Sequence, residues 1–137
     1  MDFNETIKIC RLENPEHWKG KVIGLVGDLG VGKTHFCQQL AKHWFPKNMQ
    51  HITSPTFTYC NQYEFSTPIH HYDIYRIDKE DKEKLWEIGL MESMQDDQII
   101  TWIEWVNLFP FLLEDCDLIL KIEVAKTQER VFSLFTT

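Results

Sequence analysis

The chain has 137 residues, 43% of them hydrophobic and 13% aromatic, and a formal net charge of −7. That length and apolar content predict a single domain, residues 1–137, with a real core, and argue against disorder. The negative charge excludes the basic footprint of a chain that binds nucleic acid by itself, and no apolar run approaches the ~20 residues of a membrane span.

In chain order, Thr6-Ile7-Lys8-Ile9-Cys10 alternates and predicts a short strand. Residues 14–18 predict a turn or one helical turn. Residues 22–26 are wholly apolar and predict a strand, and 33–44 predict a helix with Phe36, Leu40, Ala41 and Trp44 on one face. Pro46 ends that helix. Residues 51–57 read as extended or irregular around Pro55. Residues 59–65 and 69–77 predict two strands joined by Ser66-Thr67-Pro68. A charged amphipathic helix over 78–88 is capped by Gly89. Residues 98–105 form an apolar strand, 108–113 a short helix or turn, and 117–125 with 130–136 a closing hairpin. Strands and helices in this order, with the G-x-x-x-x-G-K-[ST] loop of residues 27–34 between the first apolar strand and its helix, predict an α/β, three-layer phosphate-loop (P-loop) nucleotide-hydrolase fold with a mixed central sheet.

The N-terminus, Met1-Asp2-Phe3-Asn4-Glu5, is acidic and lacks a signal-peptide pattern. Cys10, Cys37, Cys60 and Cys116 lie far apart with no C-x-x-C spacing, as expected for reduced thiols in a cytoplasmic protein. His70 and His71 are neighbours, so on a strand they point to opposite faces and do not chelate one ion together.

Gly27-Asp28-Leu29-Gly30-Val31-Gly32-Lys33-Thr34 is a complete G-x-x-x-x-G-K-[ST] phosphate-binding loop with a strand before it and a helix after it. Glycines let the backbone curl around a polyphosphate, and the helix N-terminus points its N–H groups at the anion. Lys33 is expected to reach the β/γ-phosphates and Thr34 to ligate Mg²⁺. Such chemistry also needs acids at strand tips. Glu104, closing Ile99-Ile100-Thr101-Trp102-Ile103, is one candidate for positioning magnesium or water. Asp73 is the other, sharing a strand face with Ile69, His71 and Tyr75. The hydroxyl-rich segment Thr53-Ser54-Pro55-Thr56-Phe57-Thr58 is a candidate γ-phosphate sensor. Arg11, Arg76 and Arg130 are the only arginines. Arg76 is the best internal candidate for stabilising transition-state charge, but on a regular strand it faces away from Asp73. Slow basal hydrolysis helped by a partner is therefore expected. Arg130, before the last strand, is a candidate contact to the nucleotide base or phosphate edge. The adenine pocket is sought near Thr6 and the last hairpin.

No aspartate has glycine three residues later, so the D-x-x-G element of guanine-specific switches is absent. Asp78-Lys79-Glu80-Asp81 only approaches [NT]-K-x-D, and ATP is favoured. The phosphate loop, residues 53–58, His71-Tyr72-Asp73-Ile74-Tyr75-Arg76 and Ile103-Glu104-Trp105 together resemble the bacterial TsaE ATPases, in the right order over nearly the whole chain. The resemblance implies an ATP- and Mg²⁺-dependent partner in making threonylcarbamoyladenosine on tRNA, next to the anticodon. It would act on a complex of a threonylcarbamoyl-transferase and its inactive homologue, meeting tRNA only through them. It implies nucleotide contacts from Asp28, Leu29, Gly30, Val31, Gly32, Lys33, Thr34 and His35. Lys33, Asp73 and Glu104 would be catalytic, with Thr34, Asp73 and Glu104 around the metal and Trp105 a mobile aromatic near the nucleotide. Two departures stand out: His35 replaces a second hydroxyl after Thr34, and Val106-Asn107 stand where proline and glutamate are usual. The competing reading is a stand-alone phosphotransferase acting on a small metabolite, which rests on the phosphate loop alone.

Overall fold

The computed structural model describes residues 1–28, 30–47 and 58–135. Within these residues lie six strands: β1 (Val22–Val26), β2 (Cys60–Tyr63), β3 (Ile69–Asp73), β4 (Ile100–Glu104), β5 (Leu118–Val124) and β6 (Arg130–Leu134). They form one sheet in the order β2-β3-β4-β1-β5-β6. The four central strands run parallel, and β2 and β6 are antiparallel edges, so the sheet is mixed as expected.

Every residue of β1 and of β4 is buried, because helices cover both faces. Helices α1 (Phe3–Ile9) and α2 (Lys33–Trp44) cover one face. There Ile23, Leu25 and Trp102 of the sheet pack with Phe36, Leu40, Ala41 and Trp44, the α2 stripe expected from helical spacing. The opposite face carries α3 (Glu83–Glu87), α4 (Leu90–Gln95) and two 3-10 segments, Val106–Leu108 and Pro110–Asp115. They pack on Val22, Val26, Tyr72 and Ile103. Gly24 serves this second layer, since a Cβ there would sit 2.8 Å from Val106 Cγ1. The expected three layers are present.

Three local expectations fail. Residues 6–10 are not a strand: Phe3–Ile9 is helical, because Asp2 accepts from the Glu5 N–H at 2.8 Å while Glu5 accepts from the Asp2 N–H at 3.2 Å. That reciprocal capping box outweighs the apolar alternation, and in the helix Ile9 is 59% exposed while Ile7 is buried. The strand sought over 69–77 stops at Asp73, where Tyr75 N–H turns back to Asp73 Oδ1 at 3.0 Å, so Tyr75 does not share the strand face. The helix sought over 78–88 is only Glu83–Glu87. The Asp78 and Asp81 carboxylates accept from the backbone N–H groups of Glu80 and Lys84, which turns the preceding residues. Gly89, at φ +85°, does end it, and α4 follows directly.

No helix among the described residues is long and apolar enough to cross a membrane.

Candidate functional site

Parallel pairing brings the chemistry to one edge. Leu25 pairs with Glu104 and Asp73 pairs with Glu104, so both acids lie side by side at the carboxyl ends of β3 and β4, next to the strand that feeds the phosphate loop. In open α/β sheets this is where ligands bind. The loop runs from Gly27 at the end of β1 to Gly32 at the N-terminus of α2, and Gly30 and Gly32 have φ of +79° and +102°, which favour glycine. A Cβ on Gly30 would meet nothing within 4 Å, so this part of the loop borders open space. Leu29 and residues 48–57 lie outside the described residues, and with them most of the candidate sensor segment.

Lys33 is buried, and its ammonium donates to the carbonyls of Gly27 at 2.7 Å and Asp28 at 2.9 Å. It also lies 4.1 Å from the centroid of the Trp105 ring. Burial lowers its pKa from the ordinary lysine value, while Glu104, Asp73 and Asp28 pull the other way. Thr34 Oγ1 lies 3.0 and 3.1 Å from the two Glu104 carboxylate oxygens. Asp73 is buried at the same edge. Trp105 has φ +66°, uncommon for a bulky residue, and its ring packs on Tyr75 with centroids 4.6 Å apart. Arg130 reaches back from β6, its Nε–H donating to Val31 O at 3.2 Å over Gly32. His35 is largely exposed, and partial desolvation of its ring together with the charge of Arg130 lowers its pKa. Arg76 lies exposed in the turn after β3.

The structure therefore gathers Asp28, Gly30, Val31, Gly32, Lys33, Thr34, Asp73, Glu104, Trp105 and Arg130 around one loop. A cavity of about 370 Å³ adjoins it, lined by Gly27, Asp28, Val31 and Trp105 and by Lys121 to Val124 of the last hairpin. Of the two places considered for adenine, the hairpin borders this cavity. Thr6 instead is buried in α1, its hydroxyl donating to Asp2 O at 2.7 Å.

The sequence reading missed His71. It is fully buried, and its Nε2 lies 2.6 Å from Glu104 Oε2. The alternation on β3 that placed Asp73 inward placed His71 inward too, which was the available signal. The ring holds one carboxylate oxygen and so fixes the orientation in which Glu104 meets Thr34.

These residues fit a magnesium-bound polyphosphate. A hydroxyl and two carboxylates are the hard oxygen donors that Mg²⁺ takes. The buried ammonium and the open loop suit the phosphates.

A family model described as "Threonylcarbamoyl adenosine biosynthesis protein TsaE" matches residues 2–132. The chain belongs to the TsaE family. It is 34% identical over 133 residues to a Rickettsia felis protein named "tRNA threonylcarbamoyladenosine biosynthesis protein TsaE", covering 96% of this chain and 75% of that one. A protein of the same name from Aquifex aeolicus is 33% identical over 116 residues, covering 84% and 77%. Among solved structures, the crystal structure of Bacillus subtilus YdiB superposes with a TM-score of 0.62 at 24% identity, over 98% of this chain and 80% of that chain. That likeness bears on the fold alone, and the fold is the expected phosphate-loop α/β architecture.

Proposed function

We propose that this TsaE-family chain binds ATP with Mg²⁺ and hydrolyses it slowly in the cytoplasm, in support of tRNA threonylcarbamoyladenosine biosynthesis. The observation that carries this reading is the meeting of Lys33, Thr34, Asp73 and Glu104 at the carboxyl edge of β1, β3 and β4. Lys33 exchanges its loop carbonyls for phosphate oxygens and neutralises their charge. Thr34 and Glu104 would hold Mg²⁺, which when bound would supply positive charge to offset that developing on the phosphates. Asp73 would orient the attacking water, and His71 keeps Glu104 in register. The adenosine occupies the cavity beside the last hairpin, with Trp105 on one side, and Arg130 lies at the phosphate edge.

The described residues offer Arg130 over the loop and leave Arg76 in an exposed turn, which fits slow turnover by the chain alone. The partner is a threonylcarbamoyl-transferase with its inactive homologue. ATP turnover resets or regulates that complex and does not itself transfer the threonylcarbamoyl group.

The test is steady-state ATP hydrolysis by the purified protein with and without that complex. Slow turnover that rises on adding the complex is expected. Brisk turnover indifferent to the complex, or label from γ-labelled ATP appearing in a metabolite instead of free phosphate, would overturn the reading in favour of a stand-alone phosphotransferase.

A further inference from the structure

Behind the magnesium-binding oxygens lies a second donor set of different chemistry. Cys37 stands one helical turn after Lys33 on α2, His71 on β3 and Glu104 at the tip of β4. All three are buried, and their ligand atoms (a thiol sulfur, an imidazole nitrogen and a carboxylate oxygen) lie within 4.8 Å of one another. No other such group of three occurs among the described residues. We propose that Cys37, His71 and Glu104 form a binding site for a thiophilic divalent cation of the Zn²⁺ type, and that an ion held there withdraws Glu104 from Thr34.

The geometry suits a small tetrahedral ion. Bonds of about 2.0 Å to nitrogen and oxygen and about 2.3 Å to sulfur put neighbouring ligand atoms roughly 3.3–3.6 Å apart. The His71–Glu104 contact of 2.6 Å must therefore open by under about 1 Å, and the sulfur, within 4.8 Å of the other two ligand atoms, closes to about 3.5 Å of them. The donors also select the ion. Mg²⁺ prefers oxygen ligands in octahedral geometry, whereas sulfur with imidazole favours Zn²⁺ and its relatives. Charge balances: one thiolate and one carboxylate neutralise a divalent cation, while His71 contributes a neutral lone pair. On binding, Cys37 releases its proton to solvent and Nε2 is left without one. Nδ1, which has no partner in the structure, carries the ring proton. Water fills the fourth position.

The functional consequence rests on the ATPase reading above: a carboxylate committed to this ion no longer serves the Thr34 side. Zn²⁺ would then act as an inhibitor that Mg²⁺ does not displace.

The test uses tag-free, EDTA-treated protein titrated with Co²⁺ as a spectroscopic probe. Expected are one equivalent bound, visible bands of a tetrahedral ion, a near-ultraviolet thiolate-to-cobalt band, and loss of all of them on adding one equivalent of Zn²⁺. The band should vanish in Cys37→Ser and persist when Cys10, Cys60 and Cys116 are all replaced by serine, a variant that keeps the proposal testable should Cys37→Ser not fold. Absence of the thiolate band, or its loss in the triple variant, would overturn the proposal. Zn²⁺ should also suppress Mg²⁺-dependent hydrolysis in the wild type. A cobalt spectrum as described in a protein that hydrolyses no ATP would leave the metal site standing and remove the ATPase reading.

Discussion

The two ends of the central sheet are built to different rules. At the amino ends of the strands, polar groups are closed off: Val22 N–H donates to Asp117 Oδ2 at 2.8 Å, and Gly20 N–H to Ile99 O at 3.0 Å. The buried hydroxyls of Ser93 and Thr101 meet at 2.7 Å. At the carboxyl ends, Lys33, Asp73 and Glu104 are buried together, Trp105 holds a left-handed backbone, and the Lys33 ammonium rests on loop carbonyls. At the amino end the chain pairs those polar groups with one another. The other end gathers charge that a ligand can use, beside a bulky residue held at positive φ.

Substitutions should separate the two ends. The largest effect is expected for Glu104→Gln, which keeps the shape and removes the charge. Hydrolysis should fall by about 10²- to 10⁴-fold while the unfolding midpoint moves little; wild-type turnover in this variant would break the comparison. At the opposite end, Gly20→Ala forces a Cβ to 2.9 Å from the Asp97 carbonyl oxygen at φ +79°. It should cost roughly 1–3 kcal/mol in urea unfolding and leave ATP affinity unchanged in the folded protein. Asp2→Ala removes the α1 capping box and should cost about 1 kcal/mol in the same assay; no change would mean that α1 is held by packing alone.

The smallest effect is a slope in pH. Burial, with Glu104 adding to it, raises the Cys37 thiol well above its ordinary value. The folded state therefore keeps a proton that the unfolded chain loses near pH 8.5. Between those two values the native state binds more protons, so stability falls as pH rises. Metal-free protein should lose stability as pH rises above the ordinary thiol range of about 8.5, and Cys37→Ser should show a shallower slope. Equal slopes would place the alkaline loss on other groups, such as Cys116, which is pushed up to about 12.

Much of this contrast was legible in the sequence, because the phosphate loop is a local signal: strand, glycines, lysine and helix are contiguous. Glu104 could be named from the apolar run that leads into it, and α2 from its buried stripe. What sequence reasoning lost was set by competition or by distance. On α1, residues 6–10 carry both an alternating pattern and a capping box upstream, and the cap won. The 78–88 segment has helical composition, but its aspartates spend their carboxylates on turns. The contact of His71 with Glu104 joins residues 33 apart in sequence and follows from the β3–β4 register, which no local pattern encodes. Cys37 comes near that pair through the packing of α2 on the sheet, which is equally non-local.

The most direct measurement is ATP affinity of Lys33→Ala against the wild type, by calorimetry in the presence of Mg²⁺. Loss of a charge-assisted phosphate contact should weaken binding by roughly 1.5–3 kcal/mol, about 10- to 150-fold, with the fold retained. Unchanged affinity would contradict the account, because the carboxyl edge of the sheet would then not be where the nucleotide binds.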